Sequence, residues 1–323
     1  MRKVIIPAFL LALAASGACA QSWPPTTTTI LVGLGPGAGL DLLARVIAQT
    51  LAERNGTNFI VENRAGGGGN VSIAALANAR PDGATIAFST FTPLVVNPWM
   101  VKTSYDPLTD VAPVAPVAET PSVIMAGKKL GVRSMKEFLA LIKGNPDKFS
   151  YATAGLGTVS HITMESAASA VGTKMVQVPY RGAPEQIQAL LAGDVDSATI
   201  QLGFIAEMIA AGQAIPLALT AEKRWPSFPD IPTAVEAGLP DMPTTRWIGV
   251  FAPKGTSPEI IKKLNGQIND ALLRPDVRER MARLYYEPVG GSPGDLADKV
   301  KSDYKLWHSV LGNLRLLLSQ QTP

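Results

Sequence analysis

Thiols and imidazoles are almost missing from this sequence. One cysteine, Cys19, and two histidines, His161 and His308, occur among 323 residues. Cys19 falls in the N-terminal leader described below, so the chain left after cleavage has no disulfide, no thiolate metal site and no cysteine nucleophile. The histidines form no H-x-x-x-H or H-E-x-x-H pair, which argues against zinc. Aromatic residues make up 6% of the chain, which disfavours polymer binding by successive stacked rings. No run of lysine and arginine occurs, so the electrostatic footprint of nucleic-acid binding is missing. Beyond the leader no apolar stretch approaches the ~20 residues of a membrane span.

What the N-terminus does have is the plan of a secretory signal. Arg2 and Lys3 are followed by the apolar run from Val4 to Ala15 and by the small-residue site Ala18-Cys19-Ala20. Cleavage is expected after Ala20, with residues 1–20 as signal peptide and a periplasmic mature chain from Gln21. Ser16 stands where a lipoprotein signal carries a large aliphatic residue, so a lipid on Cys19 is disfavoured. The formal charge of +3 loses Arg2 and Lys3 and becomes +1. An exported chain of this length without disulfides must rest on a large core, and such lengths usually divide into two domains.

Short β-rich runs alternate with helical patterns, the signature of α/β architecture with parallel sheets. Thr27 to Val32 predicts a strand, followed by the glycine-rich turn Gly33 to Gly39. A helix opened by Asp41 comes next, with Leu42, Leu43, Val46, Ile47 and Leu51 at helical spacing, ending at Asn55-Gly56. Further strands are predicted at Phe59 to Val61 and Ala84 to Ser89. A second series begins near Val123. It contains a helix from Ser134 to Lys143 with a capping box, a strand at Phe149 to Ala152 and a glycine turn at Gly155 to Thr158. Alternating elements then run on to Leu219. Arg224 to Pro232 reads as an extended proline-rich connector, Trp247 to Ala252 as a strand, and the remainder as helices. Open sheets of this kind bind ligands where strand carboxyl ends meet helix N-termini.

Several motifs dissolve on inspection. Gly33-x-Gly35-x-x-Ala38 fits a dinucleotide fingerprint loosely, but Pro36 interrupts it, and an exported protein rarely meets NAD. A loop whose backbone N–H groups face an anion is the better reading. The turn Thr153 to Thr158, with His161 one turn into its helix, repeats that device in the second series. Gly290-Gly291-Ser292-Pro293-Gly294 matches the hydrolase elbow G-x-S-x-G, but Pro293 has no N–H for an oxyanion hole. Ser292 to Asp295 reads instead as a helix cap. Asp194 and Asp196 read as loop carboxylates and not as an acid/base pair. No enzyme, cofactor or metal site is expected.

A set of segments in order carries a resemblance. They include Val61-Glu62-Asn63-Arg64-Ala65-Gly66, Pro81-Asp82-Gly83, Tyr105-Asp106-Pro107, Gly155-x-Gly157-Thr158-x-x-His161 and Val178-Pro179-Tyr180-Arg181-Gly182. Phe228-Pro229-Asp230-Ile231-Pro232-Thr233, Trp247-x-Gly249 and Ala252-Pro253-x-Gly255-Thr256 complete it. Over nearly the whole mature length the chain resembles the Bug family, the extracytoplasmic solute receptors of tripartite tricarboxylate transporters.

The resemblance implies a type II periplasmic-binding-protein fold of two α/β lobes around a ligand cleft, joined by hinge segments. Lobe 1 would hold residues 21–123 and 248–323, and lobe 2 residues 124–247. It implies a small organic carboxylate held by one loop from each lobe, through backbone N–H groups, hydroxyls and bridging waters, strong arginine clamps not being the rule. Carried over, the first loop is Leu34 to Asp41, with Gly35, Gly37 and Ala38, and Asp41 caps the helix. The second loop is Thr153, Gly155, Gly157 and Thr158, next to His161. Thr90, Thr92 and Tyr180 add to the wall. Leu34 stands where the family commonly has an aromatic residue, and Ile200-Gln201 where many members have aspartate or asparagine. A roomier, less polar cleft follows, suited to an aromatic or longer dicarboxylate. The implied partners are the membrane subunits of a tripartite tricarboxylate transporter, or alternatively a membrane sensor kinase, with the receptor a monomer. A secreted hydrolase is the remaining alternative, and it lacks a Ser/His/Asp set.

Overall fold

The computed structural model describes residues 23–239, 242 and 246–318. The expected signal peptide lies outside them.

Two sheets organise the chain. Strand β1 (Thr27–Val32) is a β-branched run whose last three residues are buried. It leads into helix α1 (Gly39–Asn55), which turns Leu40, Leu43, Ala44, Ile47 and Leu51 inward. Gly56 ends the helix at φ +63, its N–H donating to the Ala52 carbonyl, a conformation other residues adopt at a cost. Next come β2 (Asn58–Asn63), α2 (Asn70–Ala77) and β3 (Thr85–Thr90). A π-helical turn (Thr92–Val96) then runs into the short α3 (Asn97–Met100).

Strand β4 (Val111–Glu119) has no counterpart in the sequence reading, and the reason is Pro113 and Pro116. Neither can donate to a ladder, and a proline in a strand pattern normally argues against a strand. The fold places both at irregularities. Pairing of β4 with β10 (Trp247–Pro253) shifts register at Ile248/Gly249 and at Val250/Phe251, opposite Pro116 and Pro113.

The chain then crosses to a second sheet. It comprises β5 (Ser122–Ala126), β6 (Ser150–Thr153), β7 (Val176–Pro179), β8 (Ser197–Gln201) and β9 (Ile215–Leu219). Its helices are α4 (Met135–Lys143), α5 (Val159–Ala170), α6 (Ala183–Ala192) and α7 (Leu202–Ala210). The chain returns to the first sheet at β10 and finishes with α8 (Pro258–Leu273), α9 (Pro275–Arg283), β11 (Glu287–Pro288) and α10 (Pro293–Asn313).

Strand order is β11-β4-β10-β3-β1-β2 in one sheet and β7-β6-β8-β5-β9 in the other. The sheets are mixed and not parallel throughout as the alternation implied. β1 runs parallel to β2 and β3, and β6 to β7 and β8. β10 is antiparallel to β3 and β4, and β5 is antiparallel to β8 and β9. The antiparallel strands β4, β5 and β10 flank the two crossings, where the chain leaves one sheet for the other without a βαβ return.

The hydrolase-like segment is a helix cap. Ser292 accepts from the Asp295 N–H, and the Asp295 carboxylate accepts from the Ser292 N–H, closing a capping box ahead of α10. At α4 the Ser134 hydroxyl caps as expected, but Glu137 reaches back to the Arg133 N–H, one residue earlier than in the standard box. The connector from Arg224 to Pro232 is wound into turns and not extended, because Trp225 and Ile231 bury themselves in the second-lobe core.

Each sheet carries apolar core on both faces. One cluster joins the lobes: Val159 and Ile162 of α5 pack among Phe91, Met100, Trp247, Trp307 and Leu311. Full burial of one such aliphatic side chain contributes about 1.5–3 kcal/mol, so α5 helps hold the lobes together.

Candidate ligand cleft between the lobes

Where the lobes face each other, a cavity of about 50 Å³ opens at the carboxyl ends of the strands. From the first lobe come Leu34 and Ala38 after β1, Thr90 at the end of β3, and Tyr286. From the second come Gln201 at the end of β8 and Phe204 in the first turn of α7. Thr120 and Arg246, from the two crossings, complete the lining. This is the place where open α/β sheets present helix N-termini to a ligand.

The first-lobe loop is built around Asp41. Its side chain is 1% exposed, yet it is fully partnered. Oδ2 accepts from the Gly37 N–H at 2.9 Å and from Arg45 Nε at 3.0 Å. Oδ1 accepts from Asn63 Nδ2 at 2.9 Å and pairs with Arg45 at 3.0 Å. Asn63 also donates to the Leu34 carbonyl at 2.9 Å, so one carboxylate fixes both ends of the turn. Burial pushes the Asp41 carboxyl up, but the bonds from Arg45, Gly37 and Asn63 outweigh it and hold it below the usual range. Asp41 therefore braces the loop. It is not the cap: the helix begins two residues earlier at Gly39, and Ala38 occupies the N-cap position with no side-chain cap. The N–H groups of Gly39 and Leu40 find no acceptor among the described residues. An uncapped N-terminus on a 17-residue helix thus opens into the cavity.

The remaining candidates divide. Leu34, Ala38 and Thr90 line the cavity. Gly35 accepts from the Ala38 N–H at 3.2 Å, closing the turn from within, so Ala38, like Gly37, spends its N–H inside the loop. Thr92 lies on the π-helical turn, its methyl group beside Gly68.

The second-lobe loop does not reach this cavity. Its donors are turned inward: Gly155 N–H to Thr153 Oγ1 at 3.1 Å, and Gly157 N–H to His161 Nδ1 at 3.1 Å. Thr158 Oγ1 donates to the Gly155 carbonyl at 2.7 Å while capping α5. The loop instead abuts Met100 of the first lobe at Gly157, where α5 is drawn into the shared core. Tyr180 donates its N–H to the Thr153 carbonyl at 2.8 Å and packs on the second-lobe core. Gln201 and Phe204 hold the second-lobe side of the cavity in that loop's place.

Sequence reasoning missed Arg246, Tyr286 and Phe204. Arg246 carries the clearest retrospective signal: a lone cation directly ahead of a seven-residue strand that is buried throughout. Burial lowers its pKa to about 10. Tyr286 donates nothing to a carboxylate here. Its hydroxyl accepts from Gln201 Nε2 at 3.2 Å, across the lobes, and burial pushes its pKa up.

Comparison with known proteins fits this geometry. The profile described as "Tripartite tricarboxylate transporter family receptor" matches residues 43–316. A protein from the tcbD-tcbE intergenic region of a Pseudomonas species is 34% identical, over 99% of this chain and 96% of its own length. BugT of Bordetella pertussis is 32% identical over 90% of each chain. Among solved structures, R. palustris Rpa4515 with adipate superposes with TM-score 0.81 at 31% identity, covering 90% of this chain and 98% of that one. MatC from Rhodopseudomonas palustris with bound malate gives 0.78 at 31%, covering 90% and 100%. The chain belongs to the tripartite tricarboxylate transporter receptor family, the Bug-type two-lobed solute-binding proteins.

Proposed function

We propose that this protein is a periplasmic receptor that captures one small organic carboxylate between its lobes and presents it to the membrane subunits of a tripartite tricarboxylate transporter. The observation that carries this reading is the interlobe cavity, where the open N-terminus of α1 and the Arg246 cation meet inside apolar walls. A helix N-terminus favours an anion, and exclusion of water strengthens each contact.

The cavity is far smaller than the ~300–1,000 Å³ of a typical ligand pocket, so it accepts a carboxylate head once the lobes swing apart and re-close. Leu34 and Phe204, 38% and 41% exposed, stand at its edge as apolar lips, one on each lobe. They favour a ligand with an apolar body behind the carboxylate, such as a longer dicarboxylate or an aromatic acid. Adipate and malate in the two relatives' structures support a carboxylate ligand. The expected mature chain starts at Gln21, after export.

The test is a thermal-shift screen of the chain from Gln21 to Pro323, refolded to strip co-purified ligand. The panel holds aliphatic dicarboxylates, malate, citrate, aromatic acids, amino acids and sugars. A ligand at 100 times its Kd adds about 2.7 kcal/mol. A shift with acids of the panel and none with sugars supports the reading, and a shift confined to sugars refutes it.

A further inference from the structure

We propose that Arg246 is the charge anchor of the interlobe cavity: its guanidinium meets the inner carboxylate of the ligand and makes the receptor select anions over neutral molecules of the same shape. The proposal deepens the reading of the cleft as a carboxylate site and rests on it.

Arg246 stands on the return crossing, one residue ahead of β10. Its carbonyl accepts from the Thr120 N–H at 3.1 Å, and its guanidinium donates to Ser122 Oγ. Thr120 lies on the outgoing crossing and Ser122 opens β5 just after it, so the side chain is held where the two hinge segments touch. It faces two spaces. One is the interlobe cavity, and the other is a groove of about 290 Å³ on the hinge side. Glu119, Glu222 and Glu287 border only the groove. Among the described residues Arg246 takes part in no ion pair.

A guanidinium has five N–H donors in a planar fork, and Ser122 takes one direction of it. Removing such a charge from water without an opposite charge is costly, and desolvation is what lowers the pKa of this group to about 10. A half-buried cation on a ligand cavity, with no counter-ion among the described residues, is explained by a counter-ion that arrives with the ligand. The fork matches a carboxylate in two-pronged fashion, which a lysine or a hydroxyl cannot do. The free N–H groups of Gly39 and Leu40 border the same cavity, so the oxygens of one carboxylate can be shared between helix and arginine. Because Arg246 touches both crossings, ligand charge is sensed at the hinge itself.

The test is calorimetric titration of the Gln21–Pro323 chain and three variants, using adipate, malate, citrate and benzoate with their carboxamides as neutral counterparts. Arg246→Gln should weaken the bound carboxylate roughly ten- to a hundredfold, as expected for loss of charged hydrogen bonds, and leave the amide within about threefold. Arg246→Lys, which keeps the charge but not the fork, should fall between. Ser122→Ala removes the hinge partner alone and should leave carboxylate affinity within about twofold. Equal losses for acid and amide in Arg246→Gln, or a Ser122→Ala loss as large as that of Arg246→Gln, would make Arg246 a hinge pin and overturn the anchor. Unchanged affinity in Arg246→Gln overturns it too. If no carboxylate binds the unmodified protein, the receptor reading fails first and the anchor with it.

Discussion

The hydroxyl of Tyr286 receives a hydrogen bond from Gln201 across the lobes and occupies the space where any side chain on Gly39 would have to stand. The donor distance is 3.2 Å, and a Cβ on Gly39 would come to 2.6 Å from the same oxygen. Tyr286 is 3% exposed and cannot swing aside cheaply. Gly39 is thus a glycine by contact and not by backbone angle. Tyr286→Phe should cost about 1 kcal/mol through loss of one net hydrogen bond and should loosen lobe closure, read as a larger radius of gyration without ligand. Gly39→Ala should be strongly destabilising alone but mild in the Tyr286→Phe background, where the clashing atom is gone. Additive effects in denaturant titrations of the four proteins would show that the two residues do not touch in solution.

Asp41 yields a stability prediction with a pH sign. Its carboxyl is held below its ordinary value of 3.8 in the folded state. The ionised form is the one folding favours, so its contribution is full above about 3.8 and is lost as pH falls through the lower folded value. Asp41→Ala should remove about 3 kcal/mol at neutral pH, because it strips a buried charge from Arg45, Gly37 and Asn63 together. Asp41→Asn keeps an acceptor for Gly37 and should cost less. Urea titrations of both variants at pH 7 and pH 3 check this: the deficit of Asp41→Ala should shrink in acid.

Much of the fold was legible because the residues that define it act locally. Thr27 to Val32 is read off its β-branched run with the boundaries the structure shows, and the helix that follows ends at Asn55-Gly56 as its glycine signal implies. Strand β4 was not, since Pro113 and Pro116 are tolerated only by bulges that depend on its partner β10, 135 residues away in sequence at Val250↔Ala115. The site divides in the same way. Glycine turns announce themselves, so the loop after β1 stood out, and its Leu34 and Ala38 line the cavity; Thr90, which the resemblance supplied, lines it too. What no local pattern shows is that the Gly155–Gly157 turn spends its N–H groups on Thr153 and His161. Arg246, Tyr286 and Phe204 acquire their place only when the crossings bring three distant segments together.

His161 predicts a loss of stability in mild acid. Its Nδ1 accepts the Gly157 N–H at 3.1 Å, which requires the neutral ring. Burial lowers its pKa from the ordinary 6.5, against the opposing pull of Glu165. The unfolded chain therefore binds the proton at a pH where the folded one does not. Stability is full above about 6.5 and declines as pH falls toward the lower folded value. Protonation also converts the Gly157 acceptor into a donor and should open the turn. His161→Asn should flatten the pH slope between 7.5 and 5 relative to the unmodified protein, in chemical denaturation at each pH. A slope equal in both would remove His161 from the acid response.

Gly157 of the second-lobe turn faces Met100 of the first lobe. A Cβ on Gly157 would lie 2.4 Å from Met100 Cε and 2.7 Å from Sδ. Met100 is a flexible side chain, so that clash alone is relieved by a change of rotamer. The backbone is less forgiving: Gly157 has φ +74, where an L side chain costs about 1–2 kcal/mol. The two penalties can be separated. Gly157→Ala should destabilise by about 2 kcal/mol, most of it from the backbone. Adding Met100→Ala removes the steric part and leaves the backbone part, so the double variant should recover only the smaller share beyond the cavity cost of Met100→Ala itself. Full recovery would mean that contact, and not conformation, demands glycine here. Because the two atoms sit on opposite lobes, Gly157→Ala should also weaken closure, and carboxylate affinity should fall along with stability.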